Sequence, residues 1–125
     1  MSSSRLTVHA SWSDNSDYSA PEQSQSIEIE STSDTLRKDL EGLSVATGGT
    51  TVTTSEFATI TRLVVSNKDS TNYITVTGDS NSGAFSLQVV TGDSIVLGTV
   101  DVGTNLTLTA NSSACLCDVT IWGTA

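Results

Sequence analysis

Proline and histidine are almost absent from this chain of 125 residues, which has only Pro21 and His9. A lone proline excludes a proline-rich stalk or spacer, whose stiffness needs the residue repeatedly. His9 has no obvious acid–base partner beside it, so no Ser–His–Asp arrangement can be argued. Even with both cysteines it supplies too few ligands for a closed tetrahedral zinc site. Cys115 and Cys117 lie two apart, a spacing near the upper limit of Cα separation for a disulfide within one strand. Both are expected to be reduced, small apolar core residues. The glycines follow turns and form neither GxGxxG nor GxxxxGK, so no phosphate cradle is legible.

Basic residues are also few. Lys and Arg number five against 14 Asp and Glu, a formal net charge of −9. Phosphate contacts need clustered cations, so direct nucleic-acid binding is disfavoured, as is docking on anionic membranes. Arg5, Arg37, Lys38, Arg62 and Lys68 are scattered, with one adjacent pair. No apolar run approaches a membrane span, and residues 1–5 are not followed by the apolar stretch of a secretory leader. The expectation is synthesis and folding in a cytoplasm.

What the chain has in quantity is Ser and Thr, about a third of its residues, which suit turns and the solvent faces of strands. From Phe57 to Trp122 one short strand pattern follows another: FATITRLVVSN, TNYITVTGD, AFSLQVV, DSIVLGTV, TNLTLTA and CLCDVTIW. Turn residues separate them at regular spacing, the signature of an antiparallel sandwich or barrel. Upstream, residues 5–13 alternate with Leu6, Val8, Ala10 and Trp12 on one face. Ile27 and Ile29 mark a second short strand, and residues 50–54 an edge strand. Leu36, Leu40 and Leu43 have helical spacing, with Ser33 or Asp34 as cap and Gly42 as stop; a short helix over 33–41 is expected, with a third strand or irregular crossover as the alternative. The fold class is therefore all-β, an antiparallel β-sandwich of jelly-roll or immunoglobulin-like order. It would have about eight to nine strands and at most one short helix, as one domain over 1–125 with an N-terminal arm at 1–5.

Loop oxygens at Asp14-Asn-Ser-Asp17 and Asp79-Ser-Asn81 raise a calcium reading, but neither matches a full coordinating loop, and Asx residues in turns commonly bond their own backbone. The sequons at Asn105 and Asn111 are read as chance matches. Among the aromatics, alternation turns Trp12 and Phe57 inward and leaves Trp122 and Tyr18 available, a weak platform for a glycan. No catalytic, cofactor or metal residues are expected, and the chain is read as non-enzymatic. Candidate interface residues are Arg5, Leu6, Trp12 and Trp122.

One segment goes further. Leu63-Val-Val-Ser-Asn-Lys-Asp-Ser-Thr-Asn-Tyr-Ile-Thr-Val76 resembles a strand–turn–strand hairpin with an Asn-x-Asp-x-Thr-Asn-Tyr turn seen in small virion proteins of tailed bacteriophages. There the hairpin is followed by strands around a Gly-Asp/Glu-Ser turn and by a closing strand. Here Leu87-Gln-Val-Val-Thr-Gly-Asp-Ser-Ile-Val-Leu97 and residues 115–122 occupy those places. The resemblance implies a structural role as a capsid decoration (cement) protein located on the virion. Its implied partners are the major capsid protein or other virion subunits and further copies of itself. The alternative is a tail- or fibre-associated adhesion module for a host glycan or receptor.

Overall fold

The computed structural model describes residues 4–12, 23–31, 36–78, 85–98 and 100–125, with side chains from Leu36 onward and at Thr7. Ten strands occur in chain order: β1 (Ser4–Trp12), β2 (Gln23–Ser31), β3 (Leu36–Val45), β4 (Thr50–Thr53), β5 (Thr59–Asn67), β6 (Ile74–Gly78), β7 (Phe85–Val89), β8 (Ser94–Leu97), β9 (Asn105–Ala110) and β10 (Cys115–Thr124). No helix occurs among the described residues. The architecture is all-β and antiparallel. β1 and β2 form a ribbon, and the other eight strands form two four-stranded sheets, ordered β3-β10-β5-β8 and β4-β9-β6-β7. The two sheets hold eight strands, within the eight to nine expected, and the β1–β2 ribbon adds two more.

Period-2 patterning builds both sheets, because successive side chains on a strand point to opposite faces. β9 alternates half-buried and buried residues along Asn105–Ala110, and β10 alternates buried residues with the exposed Leu116 and then half-buried ones from Cys115 to Thr124. Their inward residues (Leu106, Leu108, Ala110, Cys115, Cys117, Val119, Ile121) join Leu63 and Val65 of β5, Ile74 and Val76 of β6 and Val89 of β7 in one core shared by the two sheets. Each fully buried Val, Leu or Ile contributes roughly 1.5–3 kcal/mol relative to exposure.

The helix expected over 33–41 is replaced where described by β3. Its register on β10 runs Leu40↔Val119 and then Leu43↔Cys117, so Glu41 and Gly42 together oppose Asp118. This is a β-bulge, with Gly42 at φ 62 and its N–H donated to Asp118 Oδ1 at 2.9 Å. The extra residue returns Leu43 to the core face after Leu36 and Leu40, all three packing against the core. A bulged strand thus produces the i, i+4, i+7 spacing of a helix.

The segment around Asn67 does not close a hairpin. β5 pairs with β10 and β8, whereas β6 pairs with β9 and β7, so residues 68–73 cross from one sheet to the other. β6 starts at Ile74, whose register partners are Val89 and Ala110. The expectation of an edge strand over 50–54 holds, since β4 ends its sheet. The candidate calcium loops at 14–17 and 79–81, and Tyr18, lie outside the described residues.

Candidate functional site

Three places in the fold gather side chains that could carry function. The first is the sheet end where β5 finishes. Asn67 is buried there, and its Nδ2 donates to the carbonyls of Asn72 (2.7 Å), Val89 (3.1 Å) and Val90 (3.2 Å). Its Oδ1 accepts from the Asp69 N–H at 3.0 Å. Asp69 Oδ1 in turn accepts from the N–H groups of Thr71 (2.7 Å) and Asn72 (2.6 Å). These backbone donors, Asn72 first, hold the Asp69 carboxyl below its ordinary value of 3.8. Asn72 donates to Ser113 Oγ and accepts from Ser112 Oγ, while Asn111 Oδ1 accepts from the Tyr73 N–H. The Asn67 N–H donates to Asp93 O at 2.8 Å. One buried amide and its relays therefore tie together the loops at 68–73, 90–93 and 111–114. Buried polar groups must be bonded, and here the partners are mostly the protein's own backbone. Chemically this end is a clamp that presents a rigid rim, on which Tyr73, Val90 and Leu116 stand exposed.

The second place is the outer face of β10. Trp122 is half-buried, and register sets it opposite Arg37 of β3 on one side and Arg62 of β5 on the other. The guanidinium carbons lie 5.2 Å and 5.7 Å from the indole centroid, within cation–π range. Arg62 is fully buried, while Arg37 is exposed and paired with Asp39 Oδ2 at 2.8 Å. Two cations that are 25 positions apart in sequence thus meet on one ring. Trp122 is correspondingly less available than alternation suggested. The signal missed was long-range: nothing local in β3 or β5 announces that both flank β10.

The third is a cleft of about 260 Å³ at the opposite end of β5, lined by Phe57, Ala58, Thr59 and Ile60 against Val100, Asp101, Val102 and Gly103. Its volume falls below the roughly 300–1,000 Å³ of ligand pockets. Its walls are set by local bonds, Thr54 Oγ1 to Gly103 O and Gly103 N to Asp101 Oδ1, both 3.0 Å. Gly123 admits the neighbouring segment, since a Cβ there would sit 2.0 Å from Thr59 O.

Among the expected interface residues, Arg5, Leu6 and Trp12 lie on β1, with register partners Glu30, Ile29 and Gln23 on β2. By alternation Leu6 and Trp12 share one face of the ribbon and Arg5 lies on the other. Among the described strands the ribbon is a separate two-stranded sheet, with no ladder to the sheet that carries Trp122. Cys115 and Cys117 are buried free thiols on the core face. Burial pushes both thiols up, Cys117 to about 11, with Cys115 and Asp118 adding to it. Among the described residues no group of three or more His, Cys, Asp or Glu side chains is placed to hold a metal ion.

Fold and site together define an all-β protein of two antiparallel four-stranded sheets on one core, with a clamped loop end and a charged aromatic face. No family model, curated protein or solved structure matches the chain.

Proposed function

We propose that the chain is a non-enzymatic structural protein of a bacteriophage particle, a capsid decoration protein built on a jelly-roll sandwich. The observation that carries the reading is the nesting of the eight body strands. β3 pairs with β10, β4 with β9, β5 with β8 and β6 with β7. First with last, second with seventh, third with sixth and fourth with fifth is the order expected of a long hairpin rolled into two sheets, which supports the jelly-roll reading over the immunoglobulin one. Jelly rolls recur in capsid and lectin domains. Because fold alone does not dictate function, the virion role rests further on the sequence resemblance of residues 63–76 to small phage virion proteins. The Asn67, Asp69 and Asn72 side chains organise that segment, which here crosses between the sheets instead of closing the hairpin of those proteins.

The mode of action is bridging between particle subunits, with affinity multiplied by repetition over a symmetric shell. The β1–β2 ribbon is the docking arm. Its register sets Leu6 opposite Ile29 and Val8 opposite Ile27 on one face. A two-stranded ribbon is marginal alone in water, so covering that face on a capsid neighbour would stabilise both. Its partners are the major capsid protein or other virion subunits, without direct nucleic-acid or membrane contact for a chain of net charge −9. The protein resides on the virion after synthesis in the host cytoplasm.

The test is immunogold labelling of purified particles from the source culture, with co-sedimentation of the purified chain. Saturable binding and label over the heads support the reading. Label confined to tail fibres, or binding to host-cell glycan instead, moves the protein to the adhesion class. Absence of label from every particle rejects both.

A further inference from the structure

The two sheets end in β3 and β8 and in β4 and β7. An edge strand presents unpaired N–H and C=O groups, and proteins blunt such edges with charge, bulges or brevity. β3 carries Arg37, Lys38, Asp39 and Glu41 and the Gly42 bulge; β4 and β8 have four residues each. β7, Phe85-Ser-Leu-Gln-Val89, has no charge, no proline and an unbroken register, and among the described strands it pairs only with β6. Of the four exposed large hydrophobics among the described residues, Leu87 lies on β7, Val90 follows it, and Tyr73 precedes β6 beside it. Leu87 is the telling one. Its partner Val76 is fully buried, yet Leu87 is 37% exposed on that face because the sheet stops there.

We propose that β7 is a self-association edge, pairing antiparallel with β7 of a second copy about a two-fold axis through Leu87. The strand is symmetric in character about that residue. The axis sets Leu87 against the partner's Leu87 and Phe85 against the partner's Val89, both apolar pairs on the core face. Ser86 meets the partner's Gln88 on the polar face. Register in a sheet is set by such matching of faces, and a one-residue slip would oppose apolar to polar throughout. Charge selects the same edge. Two copies of net charge −9 repel, and the stretch 80–92 carries no ionisable side chain. The pairing joins two four-stranded sheets into one of eight strands and covers Leu87. It is a property of the free chain and does not rest on the virion reading, so its failure leaves the particle-labelling test untouched.

The experiment is sedimentation velocity over a concentration series on the full chain and on variants at the exposed positions 86 and 88. The parent is expected to show a reversible monomer–dimer equilibrium. Ser86→Glu with Gln88→Glu opposes like charges twice across the axis and should weaken the dimer by roughly tenfold or more. Ser86→Lys with Gln88→Glu sets Lys against Glu twice and should restore it. The same glutamate pair on another edge, Thr51→Glu with Thr53→Glu, should leave the dimer intact. A parent that stays monomeric overturns the proposal. So does a dimer indifferent to the β7 glutamates, one equally sensitive to those on β4, or one that the Lys/Glu pair fails to recover. Amide exchange on the parent is independent of folding of the variants: protection across 85–89 must rise with protein concentration, and unchanged protection overturns the pairing.

Discussion

Asn67 and Asn72, five residues apart, are both buried and are joined by a 2.7 Å hydrogen bond from the Asn67 side-chain amide to the Asn72 carbonyl. The contact folds the crossover between the two sheets back onto the end of β5. The same amide reaches the end of β7, so a single side chain couples segments that share no sheet.

Asn67→Asp keeps the shape and removes the donors, setting carboxylate oxygen against three carbonyls. The expected loss is about 2–4 kcal/mol, because a buried polar group left without its bond costs its desolvation. Urea unfolding measures it. A loss below about 0.5 kcal/mol, the range of ordinary surface changes, would mean the amide is not the clamp.

Acid sensitivity follows from Asp69. Its folded-state carboxyl lies below the ordinary 3.8, held there by the Asn72 and Thr71 N–H groups. A depressed carboxyl contributes stability above its unfolded value, and that contribution is lost as pH falls from about 3.8 through the folded pKa. Asp69→Asn should therefore be less stable than the parent at neutral pH, with the gap closing in acid. Thermal melts of both proteins across that window decide it, and a gap that stays constant would assign the effect to something other than titration.

Gly123 sits where β10 shifts register against β5, and a Cβ there would meet Thr59 O at 2.0 Å and the Phe57 ring at 2.9 Å. Backbone cannot swing aside as a side chain can. Gly123→Ala is expected to cost about 2–4 kcal/mol through overpacking. Gly48→Ala, with nothing within 4 Å, should change stability by less than about 0.5 kcal/mol. Parallel denaturant titrations compare the two.

Both thiols should be silent in the native protein. With the Cys117 pKa near 11, only about one molecule in a thousand carries the thiolate at pH 8, and burial blocks the reagent from both sulfurs. A colorimetric thiol titration is expected to register neither cysteine without denaturant and two per chain in urea. Fast native labelling would contradict the placement of β10.

The strands of the second half were legible because β9 and β10 alternate without interruption, and Cys115 and Cys117 announced their shared face by spacing alone. The turn at 67–73 was legible for a similar reason: Asn and Asp bond backbone two or three residues away, and that chemistry is local. At β3 the same local logic misled. Leu36, Leu40 and Leu43 have a helical period, and the bulge that makes a strand of them depends on Asp118, 76 positions from Gly42.

Outside β3, the amino-acid sequence by itself determined which segments extend and, where they alternate, which face meets the core, since period-2 alternation is written residue by residue. Tertiary structure alone decided which strands are neighbours. Ladder hydrogen bonds join backbone groups common to every residue, so β5 carries no local mark that distinguishes β10 and β8 from β6 as partners. For the same reason, the meeting of Arg37 and Arg62 on Trp122, the turn at 67–73 as an inter-sheet crossover and the uncharged edge at β7 exist only once the strands have nested.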